Sequence, residues 1–208
     1  TGTHCTPSMT DQTALPERVA IVGAGVIGAA WAARWLLRGV DVAVTDPSAT
    51  APKIVSHVVD NARHAWTRMG IEPEREGELT FVDSIDAAVR DVDIVQENVP
   101  EMLELKKTIL GQIEDSVDAA TLIASSTSGL KPSVLQADLR NPERLVVGHP
   151  FNPVYLLPMV EVVGGESASS ESISRAMALY NAAGMHPLHV RVEIDAFIAD
   201  RLLEAVWR

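Results

Sequence analysis

The chain has 208 residues, 47% of them hydrophobic, which suffices for one well-buried core and a short extension. A net charge of −11 at pH 7 argues against a nucleic-acid partner, which needs a concentrated basic surface, and mildly favours a cationic or zwitterionic ligand over a polyanion. The single cysteine, Cys5, permits no disulfide within the chain and fits a reducing compartment, so a cytoplasmic location is expected.

Residues 1–8 lack the apolar stretch of a secretory leader, Met9 reads as the natural start, and 1–15 is expected to form a disordered tail. The most apolar segment, 26–37, is interrupted by Arg34 and reads as a buried helix, so no membrane partner is expected. From there, apolar runs alternate with segments of helical period. Strands are expected at 19–22, 41–45, 79–82, 94–96, 121–125, 145–148 and 160–163. Between the second and third lies a helix whose apolar stripe includes Val55, Val59, Ala62 and Trp66, with Lys53, Asp60 and Arg63 on the solvated side. Helices are also expected over 101–114 and 171–183, the second capped by Gly184; 185–192 reads as one more strand. The segment 196–208 starts a further helix with Ile198, Leu202 and Val206 on one side and no stop signal. This order predicts an α/β fold, a Rossmann-like doubly wound and mostly parallel sheet over 16–193. Residues 194–208 are expected to open a truncated, all-helical C-terminal domain.

Two stretches carry chemistry. The first is Arg18-Val-Ala-Ile-Val-Gly23-Ala-Gly25-Val26-Ile27-Gly28, a G-x-G-x-x-G directly after a strand and at the head of a helix. Gly23 permits the tight turn, Gly25 lets a pyrophosphate approach the backbone, and Gly28 lets helix and strand pack closely; Val26 and Ile27 complete the turn. The amides of the helix N-terminus suit phosphate oxygens. Asp46, eighteen residues past Gly28 at the end of the second strand, should meet the adenine-ribose hydroxyls and repel a 2′-phosphate, which favours NAD over NADP. FAD uses a similar fingerprint, but its further segments are not evident in this chain.

The second stretch is Ile123-Ala-Ser-Ser-Thr-Ser128-Gly, then Gly148-His149-Pro-Phe151-Asn152-Pro-Val-Tyr155-Leu-Leu-Pro-Met-Val-Glu161. Oxidising an alcohol needs a base for the hydroxyl proton, which a histidine supplies near neutral pH, with a carboxylate to fix its tautomer and a serine beside the reacting oxygen. Taken singly, Ser128 reads equally well as a helix cap, His149 as a core histidine and Glu161 as an edge-strand acid. No metal site is expected: His57 and His64 stand two helical turns apart, about 10 Å, too far for one ion.

The joint pattern Ser-(x20)-His-(x11)-Glu, with Pro-Phe-Asn-Pro after the histidine, resembles the L-3-hydroxyacyl-CoA dehydrogenase family from about Arg18 to the chain end. The resemblance implies Ser128 as the hydroxyl-binding serine, His149 as general base and Glu161 as its partner. It also implies Asn152 and Glu97 near the cofactor. Acyl-CoA members carry Asn where this chain has Asp200, and the runs around Ser128, His149 and Phe197 are similar to the carnitine-oxidising branch, with the gulonate-oxidising branch next. The resemblance thus implies L-carnitine as substrate, with Asp200 and the rings of Phe151 and Tyr155 near its trimethylammonium group. It further implies a homodimer formed through the C-terminal domain.

Overall fold

A computed structural model describes residues 14–208, so the tail expected over 1–15 lies outside the described residues except for Ala14 and Leu15. Eight strands form one sheet: β1 (Arg18–Val22), β2 (Asp41–Thr45), β3 (Leu79–Phe81), β4 (Ile94–Glu97), β5 (Leu122–Ser125), β6 (Leu145–Pro150), β7 (Met159–Gly164) and β8 (His186–Val190). Their order is β3-β2-β1-β4-β5-β6-β7-β8. Every neighbouring pair is parallel except β6 with β7.

Chain reversal across that one pair sets the geometry of the site. Its register places Gly148 opposite Val162 and His149 opposite Glu161.

Helices cover both faces, as a doubly wound sheet requires. On one side lie α1 (Val26–Leu37), α2 (Ala51–Arg68) and α6 (Ser170–Ala182), and on the other α3 (Ile85–Ala88), α4 (Leu103–Ser116) and α5 (Pro132–Gln136). In α1 the alanines Ala29, Ala30, Ala32 and Ala33 are all buried, so its backbone lies close to the sheet. Trp31 of that helix stacks on Tyr180 of α6 at 5.2 Å between ring centres. Helix α2 buries Val55, Val59, Ala62 and Trp66, the stripe expected from its sequence. Gly184 follows α6 with φ +73, the left-handed conformation that ends a helix.

The last helix, α7 (Ile198–Trp207), buries none of its own residues, but Phe197 at its N-cap is fully buried in the core on the α4 face. Among the described residues, no helix is long and apolar enough to cross a membrane.

Candidate active site

The glycine turn is built by close approach. Gly23 has φ +90, and a Cβ there would stand 2.9 Å from the carbonyl group of Asn98. A Cβ on Gly28 would come within 1.9 Å of the Gly23 carbonyl oxygen, so neither position accepts a side chain. Gly25, the N-cap of α1, meets nothing within 4 Å. The space in front of it stays open, and α1 has neither a side-chain cap nor an acid in its first turn. Its first amides are therefore left for an outside acceptor, the arrangement that suits an anionic phosphate.

Asp46 stands beside this turn. Its Oδ2 accepts from Ala24 N at 2.7 Å and its Oδ1 from Ser48 N at 2.8 Å, which fixes the carboxylate while leaving lone pairs for hydroxyl donors. The glycine turn, Val26, Ile27, Asp46, Ser126, Ser128 and His149 all line one cleft of about 740 Å³. That volume lies within the usual range of roughly 300–1,000 Å³ for ligand and cofactor clefts.

His149 and Glu161, opposite each other on β6 and β7, meet side chain to side chain: Nδ1 lies 2.7 Å from Oε2. The Glu161 side chain is 1% exposed and that of His149 12%. A buried carboxylate holds the proton on Nδ1, so Nε2 is the nitrogen left with a lone pair. The second oxygen, Oε1, accepts from Ala199 N at 3.1 Å in the first turn of α7, where the helix dipole favours negative charge. Phe197 lies beneath the imidazole, with ring centres 5.7 Å apart. The histidine is thus held by a strand partner, by the start of α7 and by a core ring. The family resemblance implies Glu161 as its partner, but nothing in the sequence signals the α7 contacts.

Glu101 is a cleft residue that sequence reasoning passed over, treating it only as the start of a helix. Its Oε1 accepts from the Thr127 hydroxyl and from Ser128 N and Gly129 N, each amide at 3.2 Å. Lys106 Nζ lies 3.6 Å from its other oxygen. This carboxylate shapes the turn that presents Ser128.

Four expected contacts are placed elsewhere. Glu97 is fully buried and does not line the cleft. Its carboxylate pairs with Lys106 Nζ at 2.9 Å and accepts from Ser125 Oγ at 2.5 Å and Val99 N at 2.6 Å. A buried ion pair of this kind leaves no oxygen for a cofactor, because each charge needs the other. Asn152 is exposed on the turn after β6, outside the cleft lining. Tyr155 packs against the core on the α1–α2 face, where its carbonyl accepts from Trp66 Nε1 at 2.7 Å. Asp200 sits half-buried in α7, also outside the lining, and Arg201 donates to the carbonyls of Asp195 and Ala196 instead of to it. Phe151 keeps a place near the site, its ring centre 6.3 Å from that of His149.

The family described as 3-hydroxyacyl-CoA dehydrogenase, NAD binding domain, matches residues 18–194. The chain belongs to this family. NAD is therefore the cofactor, and the glycine turn with its open helix start fits it. Among similar members, an L-carnitine dehydrogenase of Mesorhizobium japonicum is 50% identical over 92% of this chain and 53% of its own length. One from Oceanobacillus iheyensis is 47% identical over 92% of this chain and 63% of its own. The chain thus spans between about half and two thirds of these relatives. Among solved structures, a 5-formyl-3-hydroxy-2-methylpyridine 4-carboxylic acid 5-dehydrogenase, described as an NAD+ dependent dismutase, superposes with a TM-score of 0.87 at 31% identity. That match covers 92% of this chain and 63% of the other. In this chain His149, paired with Glu161, lines the same cleft as Asp46.

Proposed function

We propose that the chain is the nucleotide-binding part of an NAD-dependent L-carnitine 3-dehydrogenase. The observation that carries this reading is the buried His149–Glu161 pair opening into the same cleft as the phosphate turn. The carnitine substrate rests on the relatives of that name at 47–50% identity.

In this reading L-carnitine and NAD give 3-dehydrocarnitine and NADH. Bound NAD supplies the acceptor for the hydride from C3. His149 takes the hydroxyl proton at Nε2, while Glu161 keeps Nδ1 protonated and stabilises the imidazolium that forms. Ser128 orients the reacting oxygen through its hydroxyl. Phe151 is the proposed neighbour of the trimethylammonium group, and α7 opens a helical second domain that carries a homodimer contact. Exposed Leu202, Leu203, Val206 and Trp207 support that last point, since an apolar helix face in water calls for a cover.

The test is NADH formation by the whole protein on L-carnitine, L-gulonate and a 3-hydroxyacyl-CoA, followed by absorbance. Turnover of carnitine above the other two is expected, with His149→Ala losing turnover but keeping NAD affinity. Preference for gulonate or the acyl-CoA would move the protein to another branch. Absence of turnover on any 3-hydroxy acid would make it a silent NAD-binding module.

A further inference from the structure

Beyond the histidine pair, the cleft contains a polar side chain whose direction is fixed from behind. Asn98 follows β4, and its backbone N donates to the Val22 carbonyl at 2.7 Å, which seats it directly over the glycine turn. A Cβ added at Gly28 would stand 3.3 Å from the Asn98 Cβ, and Asn98 lines the cleft. An unconstrained amide presents either its oxygen or its nitrogen to a ligand.

Here the neighbours remove that choice. Trp31 Nε1, which only donates, reaches Ser126 Oγ at 3.1 Å, and Gln96 Nε2 reaches the same oxygen at 2.8 Å. The sense of Gln96 is itself set at both ends. Its Nε2 faces the Gly148 carbonyl at 3.4 Å, and its Oε1 accepts from the Tyr180 hydroxyl at 2.7 Å. Burial pushes the Tyr180 phenol far above its ordinary range, so that hydroxyl keeps its proton. With two donors already on its oxygen, Ser126 gives its own proton to Asn98 Oδ1, 2.8 Å away. Asn98 Nδ2 then meets the Gln96 carbonyl at 2.7 Å, an atom that only accepts. Donation runs one way, from Tyr180 and Trp31 to Asn98. One Nδ2 hydrogen is used, and among the described residues no acceptor takes the second.

We propose that Asn98 is a cofactor-binding residue, a fixed donor to an oxygen of NAD on the nicotinamide side of the phosphate turn. Ser126, Gln96 and Tyr180 are its positioning residues. The side follows from topology: β2 and β4 flank β1 on opposite sides, so Asp46 and Asn98 stand on opposite sides of the turn. The proposal rests on NAD binding by the family and is independent of which alcohol is oxidised.

Calorimetric titration of the whole protein with NAD and, separately, with AMP tests it. Asn98→Ala should weaken NAD about tenfold, the loss of one good hydrogen bond to a charged or strongly polar oxygen. AMP, which ends before the nicotinamide side, should bind within about twofold of the parent. Ser126→Ala frees the amide to turn and should weaken NAD by a smaller factor, again sparing AMP. A merely structural role would lower the melting temperature and weaken both ligands together, which would overturn the proposal. Should the alanine variant fail to fold, Asn98→Asp keeps the shape and removes the donor. Parental NAD affinity in that variant would overturn the proposal equally.

Discussion

A single methyl group at Gly148, the residue before His149, tests how tightly the sheet is backed at the site. A Cβ there would stand 2.0 Å from the Tyr180 hydroxyl oxygen and 2.8 Å from its ring carbon Cζ. The tyrosine has nowhere to retreat: it is fully buried, stacked on Trp31 at 5.2 Å and bonded to Gln96 at 2.7 Å. Overpacking of this kind costs about 1–3 kcal/mol. If the ring yields, the buried Gln96 oxygen loses its donor at a further ~1–3 kcal/mol. Together these give roughly 2–6 kcal/mol for Gly148→Ala. For a chain of this size each kcal/mol moves the midpoint by about 2–4 °C, so thermal unfolding followed by circular dichroism should shift down by roughly 4–24 °C. Adding Tyr180→Phe removes the closest atom, and the two substitutions should then cost less together than the sum of each alone, by ~0.5–3 kcal/mol. Strict additivity, or an alanine variant that melts with the parent, refutes the reasoning.

Asp46→Ala should erode the preference for NAD over NADP about tenfold, because it removes both a ribose acceptor and a charge that repels the 2′-phosphate. Equal calorimetric affinity of the parent for the two cofactors would show that Asp46 does not discriminate. Glu114 supplies a pH test. Burial alone would raise its pKa, but the backbone donors of Arg140 at 2.9 Å and Asn141 at 2.7 Å outweigh this and hold it below the usual carboxylate range. Because the folded value is the lower one, its stabilisation is complete above the unfolded carboxylate value and disappears as pH falls through the folded one. Glu114→Gln should therefore melt below the parent at pH 7, with the gap closing in the acid carboxylate range; a gap that persists there contradicts the charge-based account.

The parallel strands were legible because strands buried on both faces read as short apolar runs, and helix α1 was legible from Val26 to Leu37 without error. Helices α3 and α5 escaped notice: with four and five residues, neither completes enough turns to show a period. β6 continues through His149 to Pro150 instead of stopping at Gly148, because β7 pairs with it there; its pairing with β5 ends at Val147, so Pro150 has an edge on that side, where a proline is tolerated. In the site, the pairing of His149 with Glu161 was legible only through the family resemblance that their joint pattern carries. The burial of Glu97 was not, because its partner Lys106 comes from α4 and only the folded chain brings the two together. Tyr155 misled for the same reason: an aromatic side chain two residues beyond Pro153 looks available for a ligand until α2 closes over it.

The reversed strand pair has a consequence for how such a protein can diversify. The facing of His149 and Glu161 is set by pairing along β6 and β7, and a slip of one residue would carry Glu161 to the far face of the sheet. The connection between them, residues 151–158, is anchored by Val154 and Tyr155 in the core but carries no strand register, and a loop gains or loses residues at little entropic cost. It nevertheless begins at Phe151, beside the imidazole. A change in length within this connection would thus alter what lies next to the imidazole while leaving the pairing of His149 with Glu161 in register.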